Sequence, residues 1–398
     1  MKLPYREAQR LILSRVHPLD AREVALEEAW NTTLAEDVSS PLDLPPTDTS
    51  AMDGYALVAS STQLTPTVLK VVGEAPAGCI HPPSVRPGEA VLVTTGGPIP
   101  PGADAVVKVE EVEEDGETII LRRTVEKGEL INLKGQDVSQ GDLVLTSGTL
   151  LDYRKVALLA SLGIGRVKVF ITPKAALIAT GDELLEPGTP QASGKVYNTN
   201  RYIVEGLLRK EGLQVDYLGI VPDHPQSLRE ILAQTLEKYP LVITMGAVSK
   251  GKYDYLRKVL KELQVELLIT STNIKPGHPL AFGTKGRSLF FGLPGYPSAT
   301  LVNALVYLLP AVKRMSGRRE TLPYTLRAMA GETFKSRKGK VYFIRVNLRW
   351  EGERLMAYSA GSQLTSNYLT SALCQGLAVI PEKVGTVERG EMVKVIVP

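Results

Sequence analysis

The chain has 398 residues, 43% of them hydrophobic and 22% charged, with a net charge of +3. That make-up suits a globular protein of roughly two to four domains, and the charge is too small to imply nucleic-acid binding by itself. The two cysteines, Cys79 and Cys374, lie far apart with no CxxC pair or Cys/His cluster, which argues against structural zinc, an iron–sulfur cluster or a disulfide framework.

The first residues lack an apolar signal core, so a cytoplasmic protein is expected. Apolar residues at helical spacing (Ala8, Leu11, Ile12) predict a helix over 5–16 that stops before Pro18, and 24–33 reads as a second short helix. From 41 to 148, short alternating runs (68–72, 90–94, 105–109, 118–121) separated by proline and glycine turns predict β structure. The acidic stretch 110–117 around Asp115-Gly116 reads as a solvated hairpin tip. A helix follows over 151–162, ended by Gly163 and Gly165. Between 173 and 317 strands alternate with helices: strands at 175–178, 215–221, 241–244, 265–269 and 289–291, and helices at 200–211, 226–238, 253–263 and 298–315. This is the rhythm of a doubly wound sheet. The apolar stretch 299–312 is too short to span a membrane and reads as a buried helix, so no membrane partner is expected. Residues 322–398 return to β runs, a small barrel or sandwich.

Three apolar runs of the α/β part end at glycine turns: Ala179-Thr180-Gly181-Asp182-Glu183, Met245-Gly246-Ala247 and onward to Asp254, and 292–298. Parallel strand ends converge on one sheet edge, where ligands bind. Backbone N–H groups, Lys250 and Lys252 there suit a phosphate, and Asp182, Glu183 and Asp254 a hard cation or a water. Each turn also has a plainer reading: an acidic cap, a first-turn aspartate, or an N-cap at Pro297-Ser298. Neither a GxxxxGK[ST] loop nor a GxGxxG follows the first strand. The stretch 273–279 is rigid through Pro276 and Pro279, and Lys275 with His278 could face an oxyanion or simply decorate a turn. In the first half, 50–55, 94–98 and 132–138 read by composition as turns, and basic 335–345 as a solvated hairpin turning at Lys338-Gly339-Lys340.

Taken in order, SAMDGYA (50–56), TTGGPIPPGADAVV (94–107), KGQD (134–137), ATGDEL (179–184), ITMGAVSKGKYD (243–254), IKPGHP (274–279), GLPGYP (292–297) and GLAVIP (376–381) resemble the molybdopterin molybdenumtransferase family, related to the gephyrin E domain. The resemblance spans nearly the whole chain. It implies an elongated multidomain homodimer: a helical and extended linking part (1–40 and 149–172), a β-rich domain (41–148), an α/β molybdopterin-binding domain (173–317) and a C-terminal β domain (318–398).

It also implies the reaction. Adenylylated molybdopterin is cleaved at its phosphoanhydride with Mg²⁺, AMP leaves, and molybdate or tungstate joins the dithiolene. By position, Asp53, Asp137, Glu183 and Lys275 match catalytic residues, and Asp254 a Mg²⁺ ligand. Thr95, Gly181, Asp182, Asp223, Ser249, His278, Pro279, Ser298 and Arg345 match substrate-binding positions. The cleft of such a dimer combines domains of both subunits, and molybdopterin adenylyltransferase is a further possible partner. Departures from the family pattern are Met245-Gly246-Ala247 in place of Ser-Gly-Gly, His278 where many relatives have lysine, Tyr296 where asparagine is common, and Asp223-His224. Two alternatives remain open, a non-catalytic scaffold and an adenylyltransferase.

Overall fold

The computed structural model describes residues 2–248 and 252–398, without the side chains of 252–254. The chain divides into two compact units, Met1–Glu36 with Ser147–Arg154 and Arg166–Pro398, and Asp37–Thr146 with Lys155–Gly165.

Helix α1 (Tyr5–Ser14) forms where its apolar spacing requires, burying Tyr5, Ala8 and Ile12. The helix expected over 24–33 does not form. Ala21–Ala25 is instead a strand, paired antiparallel with Arg166–Phe170, and only a 3-10 turn follows at Leu26–Glu28. Val24 lies opposite Val167 in that ladder and both are buried, so pairing overrides a weak helical preference. Helix α2 (Tyr153–Ser161) ends at Gly163, whose φ is +70°.

The second unit holds a six-stranded sheet in the order Ala105–Lys108, Gly54–Leu57, Glu89–Val93, Thr67–Ala75, Thr118–Leu121, Val112–Asp115. The expected acidic hairpin is its outer pair, turning at Gly116.

In the first unit, β1 (Lys174–Thr180), α3 (Asn200–Lys210), β2 (Gln214–Val221), α4 (Pro225–Lys238), β3 (Leu241–Met245) and α5 (Lys252–Glu262) alternate. Then come β4 (Glu266–Ser271), β5 (Ile274–Lys275), β6 (Pro279–Lys285), β7 (Ser288–Leu293) and α6 (Pro297–Asn303). The sheet order is β2-β1-β3-β7-β6-β4; the first four are parallel, β6 pairs antiparallel to β7, and β4 antiparallel to β6, which returns it to the direction of the first four. Successive residues serve opposite faces. Leu177 and Phe291 pack with α1, α3 and α6, while Ile178 and Phe290 pack with α4 and α5. Burying each phenylalanine contributes about 2–3 kcal/mol. The buried helix over 298–315 is present but interrupted. A π turn at Ala304–Leu308 precedes Pro310, whose ring and missing N–H disturb the regular ladder.

The C-terminal strands β8 (Thr325–Ala330), β9 (Val341–Glu351), β10 (Arg354–Ser359), β11 (Gly376–Ile380) and β12 (Met392–Ile396) run β9-β10-β8-β12-β11 and close where β11 pairs back to β9. Of the barrel and sandwich considered from sequence, this is the barrel. The expected 335–345 hairpin is absent, because Phe334–Lys335 pairs with Thr386–Val387 and β9 pairs elsewhere. Parallel to β9 runs β5, so one edge of the α/β part is continuous with the barrel.

Candidate functional site: a cleft at the strand ends

Leaving β1 the chain first builds β2 on one side, then returns to build β3 on the other. The direction of winding reverses between β1 and β3, which opens a crevice at their carboxyl ends. The register aligns Ala179 with Met245 and Met245 with Leu293, so these strands end level. Here lies a cleft of about 1110 Å³, floored by Thr180, Met245 and Gly246.

The floor leaves no room for another residue at Gly246. Its φ is +105°, and a Cβ would stand 2.3 Å from the Thr180 carbonyl oxygen. Its N–H donates to the Leu293 carbonyl at 3.0 Å, and Thr180 Oγ1 donates to the Met245 carbonyl at 3.3 Å. Met245 is 2% exposed and belongs to the core, which absorbs its bulk. Ala247 takes φ +54°, a left-handed conformation that L-residues with a Cβ avoid.

Two carboxylates tie the ends of β1 and β2 together. Asp223 N–H donates to Asp182 Oδ1 at 3.1 Å, and Asp182 N–H donates to Asp223 Oδ2 at 3.4 Å. Lys195 Nζ donates to the Asp182 carbonyl at 2.5 Å. Glu183 and Asp223 line the cleft, and the Glu183 carboxylate lies against the Gly181 α-carbon. No group of three Asp, Glu, His or Cys side chains forms a metal cage among the described residues. Mg²⁺ commonly takes one or two carboxylates and completes its shell with water and phosphate oxygens, so the oxygen donors of Glu183 and Asp223 fit it. Ser249 and the Asp254 side chain lie outside the described residues.

The other wall is cationic. Lys275 pairs with Tyr342 across the β5–β9 ladder, and its ammonium sits 5.3 Å from the Tyr342 ring centroid. Asn303, fully buried on α6, donates to the Gly277 carbonyl at 2.8 Å and to the Ala299 carbonyl at 2.9 Å. Thr272 N–H donates to the His278 carbonyl at 2.8 Å. The turn that presents Lys275, His278 and Pro279 to the cleft is therefore held from beneath. Arg337, Lys338 and Lys340 continue this wall, and Tyr197, Tyr296 and Tyr368 add aromatic surface.

Two expected site residues stand behind the cleft. Ser298 is fully buried, and its hydroxyl donates to the Thr365 carbonyl at 2.7 Å. Arg345 is 1% exposed. Its guanidinium donates to the carbonyls of Ser362, Leu364 and Asn367 at 3.0, 3.0 and 3.2 Å, to Ser371 Oγ at 2.9 Å and to Gln363 Oε1 at 3.4 Å. Burial pulls its pKa below the usual guanidinium value. Both residues anchor the segment that brings Thr365 and Tyr368 to the cleft.

In the second unit, Asp53 Oδ1 accepts the Thr95 N–H at 2.6 Å and the Thr95 hydroxyl at 2.9 Å. The backbone bond first, then the hydroxyl, holds the Asp53 carboxyl below the usual carboxylate range. Asp137 is exposed on the 132–138 turn, its N–H donating to the Leu44 carbonyl at 3.0 Å. That turn joins the 50–55 turn through the Thr49–Ser50 and Ile131–Asn132 pair.

The strand ends thus gather Glu183, Asp223, Lys275, His278 and Pro279 into one lining, with Gly181 and Asp182 beside it. Sequence reasoning missed Asn198, Asn200, Asn303 and the Arg337–Lys340 turn. The last had a visible signal, three cations in four residues, but charge alone does not tell a solvated turn from a cleft wall.

Comparison with known proteins agrees along the chain. Residues 3–163 match the MoeA N-terminal region (domain I and II), residues 176–314 a probable molybdopterin binding domain, and residues 327–397 the MoeA C-terminal region (domain IV). A molybdopterin molybdenumtransferase of Haemophilus influenzae is 35% identical over 385 residues, covering 95% of this chain and 94% of its own. That of Staphylococcus aureus (strain MRSA252) is 35% identical over 347 residues, covering 86% and 83%. The crystal structure of the molybdopterin biosynthesis MoeA protein of Pyrococcus horikoshii OT3 superposes with a TM-score of 0.86 at 31% identity, covering all of both chains. With its architecture, its strand-end cleft and its full-length relatives in agreement, this chain belongs to the molybdopterin molybdenumtransferase family.

Proposed function

We propose that this protein is the enzyme of molybdenum cofactor biosynthesis that inserts molybdate or tungstate into adenylylated molybdopterin and releases AMP. The observation that carries the reading is the cleft itself, whose acidic strand ends face one part of a ligand while Lys275, His278 and aromatic side chains line the rest. A phosphoanhydride and a tetrahedral dianion need that mixture.

Lys275 and the turn beneath it hold the oxyanion. Glu183 orients the water that attacks the phosphoanhydride. Mg²⁺, held by Asp223 and Glu183 with Asp254, would neutralise phosphate charge when bound. The acidic turns bearing Asp53, Thr95 and Asp137 serve the same reaction in a homodimer. The enzyme works in the cytoplasm on substrate supplied by molybdopterin adenylyltransferase.

Purified protein given adenylylated molybdopterin, Mg²⁺ and either oxyanion should release AMP and should sediment as a dimer. No release with molybdate or tungstate from folded protein would remove the reading; a monomer with full activity would remove only the dimer. One observation favours a scaffold instead, the strained Ala247 where relatives carry a second glycine. Substrate binding without turnover would support it.

A further inference from the structure

We propose that the turn Arg337-Lys338-Gly339-Lys340 is an anion-binding ledge for the bridging phosphates of the nucleotide substrate, separate from the oxyanion position at Lys275. The inference rests on the reading above and adds a site to it.

The turn comes from the barrel, yet Arg337, Lys338 and Lys340 all line the cleft at the α/β strand ends. Its backbone is fixed on both sides. The Asn273 side chain donates to the Gly339 carbonyl at 2.6 Å, Gly339 N–H donates to the Glu382 carbonyl at 2.7 Å, and Val341 N–H donates to the Asn273 carbonyl at 3.0 Å. Among the described residues no carboxylate pairs with any of the three cations, and the nearby Glu382 carboxylate is approached by Asn273 at 3.4 Å. Lys340 is half-buried, and Arg337 and Lys338 are exposed. A surface turn meant only for solubility does not need three cations facing a cavity on a pinned backbone.

Charge matching identifies the ligand. A tetrahedral metal oxyanion carries two negative charges, which Lys275 and the donors of its own turn address. A pyrophosphate bridge brings about two more, spread over several oxygens and a longer span. Three side chains on one turn suit that extended anion better than a second small ion. Tyr342, next but one after Lys340, offers a ring beside the phosphates for an attached heterocycle.

The test is calorimetric, with intact protein and two probes, ADP-ribose for a bridged nucleotide and molybdate for the oxyanion. The triple variant R337Q/K338Q/K340Q should bind ADP-ribose about tenfold more weakly, the size of one charge-assisted contact after solvent discounts the exposed ones. Its ADP-ribose affinity should also lose most of its salt dependence. Molybdate affinity should stay within about twofold, and K340R should bind ADP-ribose as the unaltered protein does. Unchanged ADP-ribose affinity in a folded triple variant overturns the ledge alone, since the unaltered protein still binds. An equal loss for molybdate assigns the ledge to the oxyanion and overturns the proposal. Failure of the unaltered protein to bind either probe overturns the ledge and the functional reading together.

Discussion

At Ala247 two small terms oppose each other. A left-handed φ of +54° costs a residue with a Cβ about 1–2 kcal/mol, whereas glycine would cost about 0.5–1 kcal/mol in unfolded-chain entropy. The strain is larger, so Ala247→Gly should stabilise the protein by about 0.5–1 kcal/mol, read as a higher denaturant midpoint. An unchanged or lower midpoint would contradict the conformation. Asp53 carries a pH signature. Its folded pKa is depressed, so its contribution is present above the unfolded value, near 3.9, and is lost as pH falls through the lower folded value. Because the Thr95 backbone N–H is the larger cause, Thr95→Val should leave most of the depression in place. A carboxyl NMR titration showing Asp53 back in the ordinary range would assign the effect to the hydroxyl instead.

Among elements, the segment 362–371 is held chiefly by one side chain. Replacing Arg345 with Met removes five N–H donors from a buried position, takes the donor from the Ser362 carbonyl, and leaves the Leu364 carbonyl with the Asn367 N–H and the Asn367 carbonyl with the Ser371 hydroxyl. The loss should be about 3 kcal/mol or more, with amide hydrogen exchange across 362–371 rising first. Exchange confined to distant strands would show that other contacts hold the segment. Lysine, with fewer donors and no planar fork, should not rescue it. By resemblance Arg345 matches a substrate-binding position, but nothing in a one-dimensional pattern reveals that its fork bonds its own loop. The parallel strands were legible because buried runs ending at glycine have few other uses. The Ala21–Ala25 strand was not, because its partner lies some 140 residues away and local propensity favours helix.

For the whole molecule, the α/β rhythm and the closing β domain could be read directly, since each depends on local periodicity. The cleft could be read only in part. Its acidic strand ends come from local motifs, whereas its cationic wall depends on a two-residue strand pairing across about 66 residues of intervening chain. A chain ending after Arg319 would retain the sheet but leave Ile274–Lys275 without its paired strand and Asn273 without its bonds to Gly339 and Val341. Such a chain should keep helical circular dichroism and lose molybdate binding in calorimetry. Retained affinity would show that the turn stands without the barrel. The same ladder sets an order on synthesis. The stretch bearing Lys275 leaves the ribosome long before β9 exists to receive it, so a nascent chain carries the acidic strand ends first and the completed cationic wall last. An incomplete chain lacks one side of the cleft until β9 has been made.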